Sequence, residues 1–336
     1  MKFDKILLDH GSGGKAAHEL TAQVLMPLFD NPILAPLNDG AMFEMPAGRL
    51  AFSTDTFVVD PIFFPGGDIG ELAVNGTVND VAMCGAVPRY LSMGLILEEG
   101  LSMQDLQRIL TSVRTALDRA GVRLVTGDTK VVPRGSADKI FINTSGIGDI
   151  LPGVVIDSTL ARPGDQVILS GTMADHGIAV LTQREGLKFA SGVQSDTAPL
   201  HAMVQAIVAV THDVHVLRDP TRGGVGTTLN EIAVQSKVGV LIYEEKLPVA
   251  PEVAGICELL GFDPLYLANE GKLLCFAPAA QAEAVLEAIR RSPYGKNACI
   301  LGEVIDDHPG RVVMRTRIGG QRIVDMLTGE QLPRIC

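Results

Sequence analysis

Short apolar runs and longer segments of helical period follow one another along nearly the whole chain, and this alternation restricts it to a layered α/β or α+β architecture. Residues 48–59, 90–97, 122–125 and 140–148 read as buried strands, and residues 6–8 as a shorter one. Residues 68–85 form a helix of small and apolar side chains. Ser102 caps a further helix to about Ala120, whose Leu106, Ile109, Leu110, Val113 and Leu117 lie in one core-facing stripe. The first half is thus an α/β sandwich with an extra strand pairing rather than a doubly wound dinucleotide fold. Pro152, Gly153, Pro163 and Gly164 mark a boundary, after which strands and helices alternate again without a sequence-level repeat. With 336 residues, 46% of them hydrophobic, the chain is long enough for two domains, expected at 1–155 and 156–320, and a mobile tail at 321–336.

Composition removes several function classes. Trp is absent, aromatics make up 4%, and the formal charge is −11, so stacking platforms are scarce and phosphate backbones are repelled: no nucleic acid is expected as a partner. The N-terminus lacks the apolar core of a signal peptide, and no apolar run approaches the roughly 20 residues of a membrane span. A cytoplasmic protein with no membrane association is expected. The cysteines, Cys84, Cys257, Cys275, Cys299 and Cys336, are odd in number and contain no Cys-x-x-Cys pair, against both a zinc cluster and a disulfide framework. The first four sit in apolar surroundings and are expected to be small buried hydrophobes.

Cys336 is different because it ends the chain, after Pro333-Arg334-Ile335. An extended segment from Gly319 could carry it up to about 55–60 Å, at roughly 3.3 Å per residue. It is either a reactive thiol presented to a distant site or a frayed terminus that ends in Cys. At the other end, His10-Gly11-Ser12-Gly13-Gly14-Lys15 runs into a helix over 16–29. Such a loop either wraps a phosphate with its backbone N–H groups or is a flexible connector, and it lacks the spacing of a P-loop.

Asp55, Asp80, Asp128 and Asp219 each fall at or near the end of an apolar element beside Gly or Thr. Single carboxylates converging on glycine-rich loops suit a Mg²⁺–nucleotide site, where a hard cation takes carboxylate, water and phosphate oxygens. Asp80 stands in an apolar helix with Asn75 and Asn79 on the adjoining face: a polar stripe toward a ligand, or an Asp capping a neighbouring loop. His212 and His215 have a ligand-like spacing that solvated turn residues would show equally.

Taken together, His10-Gly11-Ser12-Gly13-Gly14, the segment from Asn75 through Asn79 and Asp80 to Ala86, Thr126-Gly127-Asp128-Thr129-Lys130, Asp219-Pro220-Thr221-Arg222-Gly223-Gly224 and the terminal Pro333-Arg334-Ile335-Cys336 resemble the HypE family. These are the carbamoyl dehydratases of nickel–iron hydrogenase maturation, in the superfamily of aminoimidazole ribonucleotide synthetase and selenophosphate synthetase. The resemblance spans the whole chain; the internal motifs indicate the ATP-using superfamily, and the tail singles out this family. It implies a two-domain aminoimidazole ribonucleotide synthetase-like fold with an ATP-binding, dimerising first domain. It further implies that HypF carbamoylates Cys336, that ATP drives dehydration of the S-carboxamide to an S-cyanate, and that the cyano group passes to iron on HypC–HypD.

By this resemblance, Mg²⁺ rests on Asp55, Asp80 and Asp219. Gly11, Ser12, Gly13, Gly14, Asn79, Asp128 and Thr221 contact the nucleotide, together with Asp55 and Asp80, and Lys130 and Glu270 remove protons from the carboxamide nitrogen. Lys130 could instead clamp phosphate, and Glu270 could pair with Lys272. The alternatives to the whole reading are another superfamily ATP-dependent ligase or kinase acting on a small molecule, or a thiol carrier that displays Cys336.

Overall fold

The computed structural model describes residues 4–11, 15–35, 41–185, 192–328, 332 and 335–336. The first half is built on β1 (Leu50–Phe57), a small hairpin of β2 (Phe63–Phe64) and β3 (Gly67–Asp68), then β4 (Ala86–Glu98), β5 (Arg123–Val132) and β6 (Ile140–Ile150). Four of these form one sheet in the order β1-β6-β4-β5, with β4 and β5 parallel and the other pairs antiparallel.

The expected helix over 16–29 is interrupted: α1 (Lys15–Leu20) passes through a π-helical turn, Thr21–Leu25, into α2 (Met26–Phe29). Pro27 has no N–H to donate backwards, so the hydrogen-bond register shifts just before it. The expected strand over 6–8 is replaced by a 3-10 turn, Leu8–Gly11, with a single bridge from Lys5 to Ser102.

Two helices cover one face of this sheet. Asp68 caps α3 (Ile69–Met83) by accepting from the N–H groups of Gly70 at 2.8 Å and Glu71 at 3.1 Å. α3 is apolar on nearly every side because it lies between the sheet and α4 (Met103–Ala120). Gly76 allows that approach: a Cβ there would meet the Phe57 ring at 2.8 Å. The α4 stripe is buried as its spacing predicts, and Gly121, at φ +66, ends the helix in the left-handed conformation. The opposite face of the sheet, carrying Phe52, Thr54, Thr56, Ile96 and Asn143, has no covering element among the described residues; Phe52 is 71% exposed.

The second half holds β7 (Asp165–Leu169), β8 (Val216–Arg218), β9 (Gly239–Tyr243), β10 (Leu274–Pro278), β11 (Cys299–Ile305), β12 (Val312–Arg315) and β13 (Gln321–Val324). They form a seven-stranded sheet in the order β13-β12-β9-β11-β7-β10-β8, of which only β9 and β12 pair in parallel. Residues 321–324, expected in the tail, are its edge strand: a turn closed by Thr316 N–H on the Gly320 carbonyl folds them back, and Val324 is buried. The helices are α5 (Asp175–Arg184), α6 (His201–Val210), α7 (Gly224–Ser236), α8 (Pro251–Leu260) and α9 (Ala279–Arg291). No helix among the described residues is long and apolar enough to cross a membrane. Cys257 and Cys275 are buried as expected, whereas Cys84, one residue past α3, is exposed and Cys299 half-buried.

Candidate active site

Four carboxylates from distant parts of the chain face one another where the two halves meet. Asp55 lies on the α3 side of β1, close enough that a Cβ on Gly76 would stand 3.6 Å from its Oδ2. Asp80 is in the last turn of α3 and accepts from the Ser53 hydroxyl at 2.7 Å. Asp219 follows the last residue of β8, and Glu270 sits in the loop leading to β10.

Burial pushes all four upward, and mutual repulsion adds to it for three of them. Asp80 is raised to about 6, with Asp55 adding to the burial effect and Ser53 opposing it. Asp219 is raised to about 7 by burial and then by Asp80. Asp55 is raised by burial, against the Thr56 N–H and Arg222. Glu270 is raised well above the usual carboxylate range, first by burial and then by Asp196, Asp219, Asp55 and Asp80. Glu270 is only 4% exposed, and its Oε1 has no hydrogen-bond partner. A desolvated row of acids with an unsatisfied oxygen is costly unless a cation or a donor occupies the space between them.

The end of the chain enters this site within its own subunit. The Ile335 side chain is 2% exposed and packs with the apolar core of the first half, and the Val58 N–H donates to a main-chain carboxylate oxygen of Cys336 at 3.1 Å. The Arg222 guanidinium donates to Cys336 Sγ at 3.6 Å. Burial and then Glu270 push the thiol up to about 12, with Arg222 pulling the other way. Of the two readings of this terminus, the contacts are those of a thiol brought to a site, with Ile335 as its anchor.

The other expected residues near this site make the following contacts. The Asn79 amide is used on backbone, donating to the Ala198 carbonyl at 3.0 Å and accepting from Leu200 N–H at 2.8 Å. Asn75 donates to Thr197 at 3.1 Å, so the asparagine stripe of α3 ties the two halves together, with the Asn75 Oδ1 left without a partner. Glu270 does not pair with Lys272, whose ammonium holds buried Asp196 at 2.8 Å. Asp196 in turn accepts from the Glu270 N–H at 3.0 Å. Thr221 lies in the turn before α7, where its carbonyl accepts from Gly224 N–H. Asp196 and Ser53 belong to the site although nothing in their spacing singled them out, while Arg222 stood in the Asp219–Gly224 motif and Lys272 beside Glu270 without a role of its own.

A second group stands apart. Asp128 and Lys130 form an exposed ion pair at 3.2 Å on β5, which runs through the Thr126–Lys130 motif instead of ending before it. They border a cavity of about 350 Å³ with His10, His18, Thr21 and Leu124. Gly11 closes the 3-10 turn beside this cavity, while Ser12, Gly13 and Gly14 lie outside the described residues. β5 is separated from β1 by two strands, or about 14 Å at the usual strand spacing, and Lys130 pairs with Ile96 on the uncovered face. Within one chain, therefore, Lys130 does not meet Glu270 or Cys336.

Among the described residues no three His, Cys, Asp or Glu side chains converge into a ready metal cage. The separated oxygens of Asp55, Asp80 and Asp219 fit a Mg²⁺ that completes its shell with water and phosphate, and their mutual repulsion shows where positive charge is needed.

Residues 37–150 match the AIR synthase related protein N-terminal domain and residues 162–315 its C-terminal domain. The chain is 53% identical over 337 residues to the carbamoyl dehydratase HypE of Cupriavidus necator, covering 100% of this chain and 96% of that one. It is similar, at TM-score 0.95 and 55% identity over 98% of this chain and 99% of the other, to hydrogenase maturation protein HypE solved in complex with ATP. It also resembles a chain of a HypE–HypF complex, at TM-score 0.81 and 47% identity over 92% of this chain and 99% of that one. With the terminal cysteine seated among the acids, these likenesses place the chain in the HypE family of carbamoyl dehydratases, within the AIR synthase related proteins.

Proposed function

We propose that this enzyme uses ATP to dehydrate an S-carboxamide carried on its own Cys336 to an S-cyanate, for the cyanide ligands of the nickel–iron hydrogenase iron. The observation that carries this is the seating of Cys336 against Glu270 and the acid row, in a family of carbamoyl dehydratases. Amide oxygen is a poor leaving group. Transfer of the γ-phosphoryl to that oxygen gives a phosphate that departs as the C–N bond becomes a triple bond, and the nitrogen loses both protons along the way. The sum is S-carboxamide plus ATP to S-cyanate, ADP and phosphate.

Glu270 takes a proton from nitrogen, and the burial that raises its pKa makes its carboxylate the stronger base. Arg222, already donating to Sγ, is placed to hold the polar end of the carboxamide. Asp55, Asp80 and Asp219 would hold Mg²⁺, which supplies charge neutralisation for the phosphates. The cavity beside Gly11, Asp128 and Lys130 takes part of the nucleotide, and Asn79 and Thr221 shape the floor of the site. ATP use is supported by the similar HypE solved with ATP, and HypF as carbamoyl donor by the similar chain in a HypE–HypF complex. HypC–HypD is the acceptor.

A homodimer through the uncovered sheet face unites the two groups. A two-fold axis parallel to the strands reverses their order across the interface, laying β5 of one subunit over β1 of the other, so that Lys130 of the partner subunit reaches Glu270 and Cys336. Exposed Phe52 and Ile96 on that face become buried.

The test is intact-protein mass spectrometry on S-carbamoylated protein before and after Mg-ATP, with Cys336→Ala as control. Loss of one water from the C-terminal peptide, only with ATP, is expected. ATP consumption with the carbamoyl group unchanged or hydrolysed would overturn the reading in favour of a small-molecule ligase.

A further inference from the structure

His176, in the first turn of α5, is wholly buried and lies outside every motif of the sequence. Its Nε2 stands 2.8 Å from the carbonyl of Ile335 and its Nδ1 2.8 Å from the Ser195 hydroxyl, with the ring edge-on to Phe64. The protons follow from these partners. Ser195 Oγ already accepts from the Thr197 N–H at 3.2 Å, so its own hydrogen goes to Nδ1, and Nε2 carries the proton donated to the tail. Burial holds the ring neutral, consistent with one donor and one acceptor nitrogen.

The Ile335 carbonyl is the last backbone acceptor before the reacting residue, and it is buried where water does not reach. Without a donor it would favour an undocked tail. The main-chain carboxylate of Cys336 is held separately, one oxygen accepting from Val58 N–H, so the Ile335 carbonyl and this carboxylate are fixed from different halves of the molecule.

We propose that His176 is a positioning residue: a latch whose Nε2–H grips the Ile335 carbonyl and so sets the substituent on Cys336 against Glu270. This rests on the reading of Cys336 as the substrate carrier. The same bond is the one to break when the tail leaves to be carbamoylated or to deliver its product. Ser195, anchored through its N–H to the Pro65 carbonyl at 2.8 Å, orients the ring.

The test uses the full-length protein as unaltered, His176→Phe and His176→Gln forms. Phe keeps an aromatic ring against Phe64 but has no donor, whereas Gln retains an N–H. Two rates are read: alkylation of Cys336 by iodoacetamide, followed on the C-terminal peptide, and single-turnover water loss from S-carbamoylated protein in saturating Mg-ATP. His176→Phe is expected to raise alkylation about tenfold and to slow water loss by about the same factor, with His176→Gln within about threefold of the unaltered protein. Unchanged alkylation in folded His176→Phe, or His176→Gln behaving like His176→Phe, overturns the latch. If His176→Phe does not fold, Ser195→Ala is expected to raise alkylation about two- to fivefold, and no rise overturns it. Alkylation needs no carbamoyl group, so an unaltered protein that never loses water sinks the dehydratase reading while the latch is still read.

Discussion

Asp219→Asn should stabilise the metal-free protein while abolishing its response to Mg-ATP. Folding moves this carboxyl from an ordinary 3.8 to about 7, chiefly by burial and then by repulsion from Asp80. At about 1.36 kcal/mol per pH unit, that is roughly 4 kcal/mol of destabilisation once the group is ionised in both states. The repulsive part is shared with Asp80, itself raised to about 6, so the neutral amide recovers about half, near 2 kcal/mol. The direction in pH follows from proton counts. Between about 4 and 7 the folded state binds the proton that the unfolded chain has released, so stability falls as pH rises. The variant lacks this slope. Melting curves at pH 4 to 8 in chelator should coincide at the acid end and separate until Asp219→Asn melts about 4–8 °C higher at pH 8. Adding Mg-ATP should raise the unaltered protein and leave the variant unmoved. A variant that melts at or below the unaltered protein at pH 8, or a gap that does not grow with pH, would refute the idea that like charge strains this site.

Three further outcomes are expected. Lys272→Met leaves the buried Asp196 carboxylate unpaired and should cost about 3–5 kcal/mol in denaturant unfolding, whereas a surface ion pair would cost under about 1. Glu270→Gln should slow single-turnover water loss about 10²–10⁴-fold with ATP affinity nearly unchanged, as measured by calorimetry. If sites are completed across a dimer, mixing and reassociating inactive Lys130→Ala and Glu270→Gln proteins should restore activity to about a quarter, because half the dimers are mixed and each has one intact site; no recovery in confirmed mixed dimers would exclude a shared site.

Local chemistry made much of the molecule legible. The α4 stripe, its Ser102 cap and the strand cores appear where periodicity and capping put them, because these signals act over three or four residues. The acids were visible because ionisable groups at the ends of apolar runs demand an explanation. Less legible were features joining remote segments: Asn79 holds backbone 119 and 121 residues away, and β13 exists only because β12 offers it an edge. The helix expected over 16–29 is present but carries a π-helical turn for a local reason, since Pro27 withholds a backbone N–H whatever the apolar period.

By itself the sequence determined the residue inventory of the chemistry: a terminal thiol, single acids beside glycine-rich turns, and two alternating α/β halves. The tertiary structure alone decided how these are used. It seated Ile335 in the core, bringing Cys336 against Arg222, and it set Lys130 on the far edge and opposite face of the sheet from Asp55. It also pressed four carboxylates together until burial and repulsion raised them. The physical reason is common to all three: burial, sheet order and charge–charge distance arise from contacts between segments far apart in the chain, which no local pattern encodes.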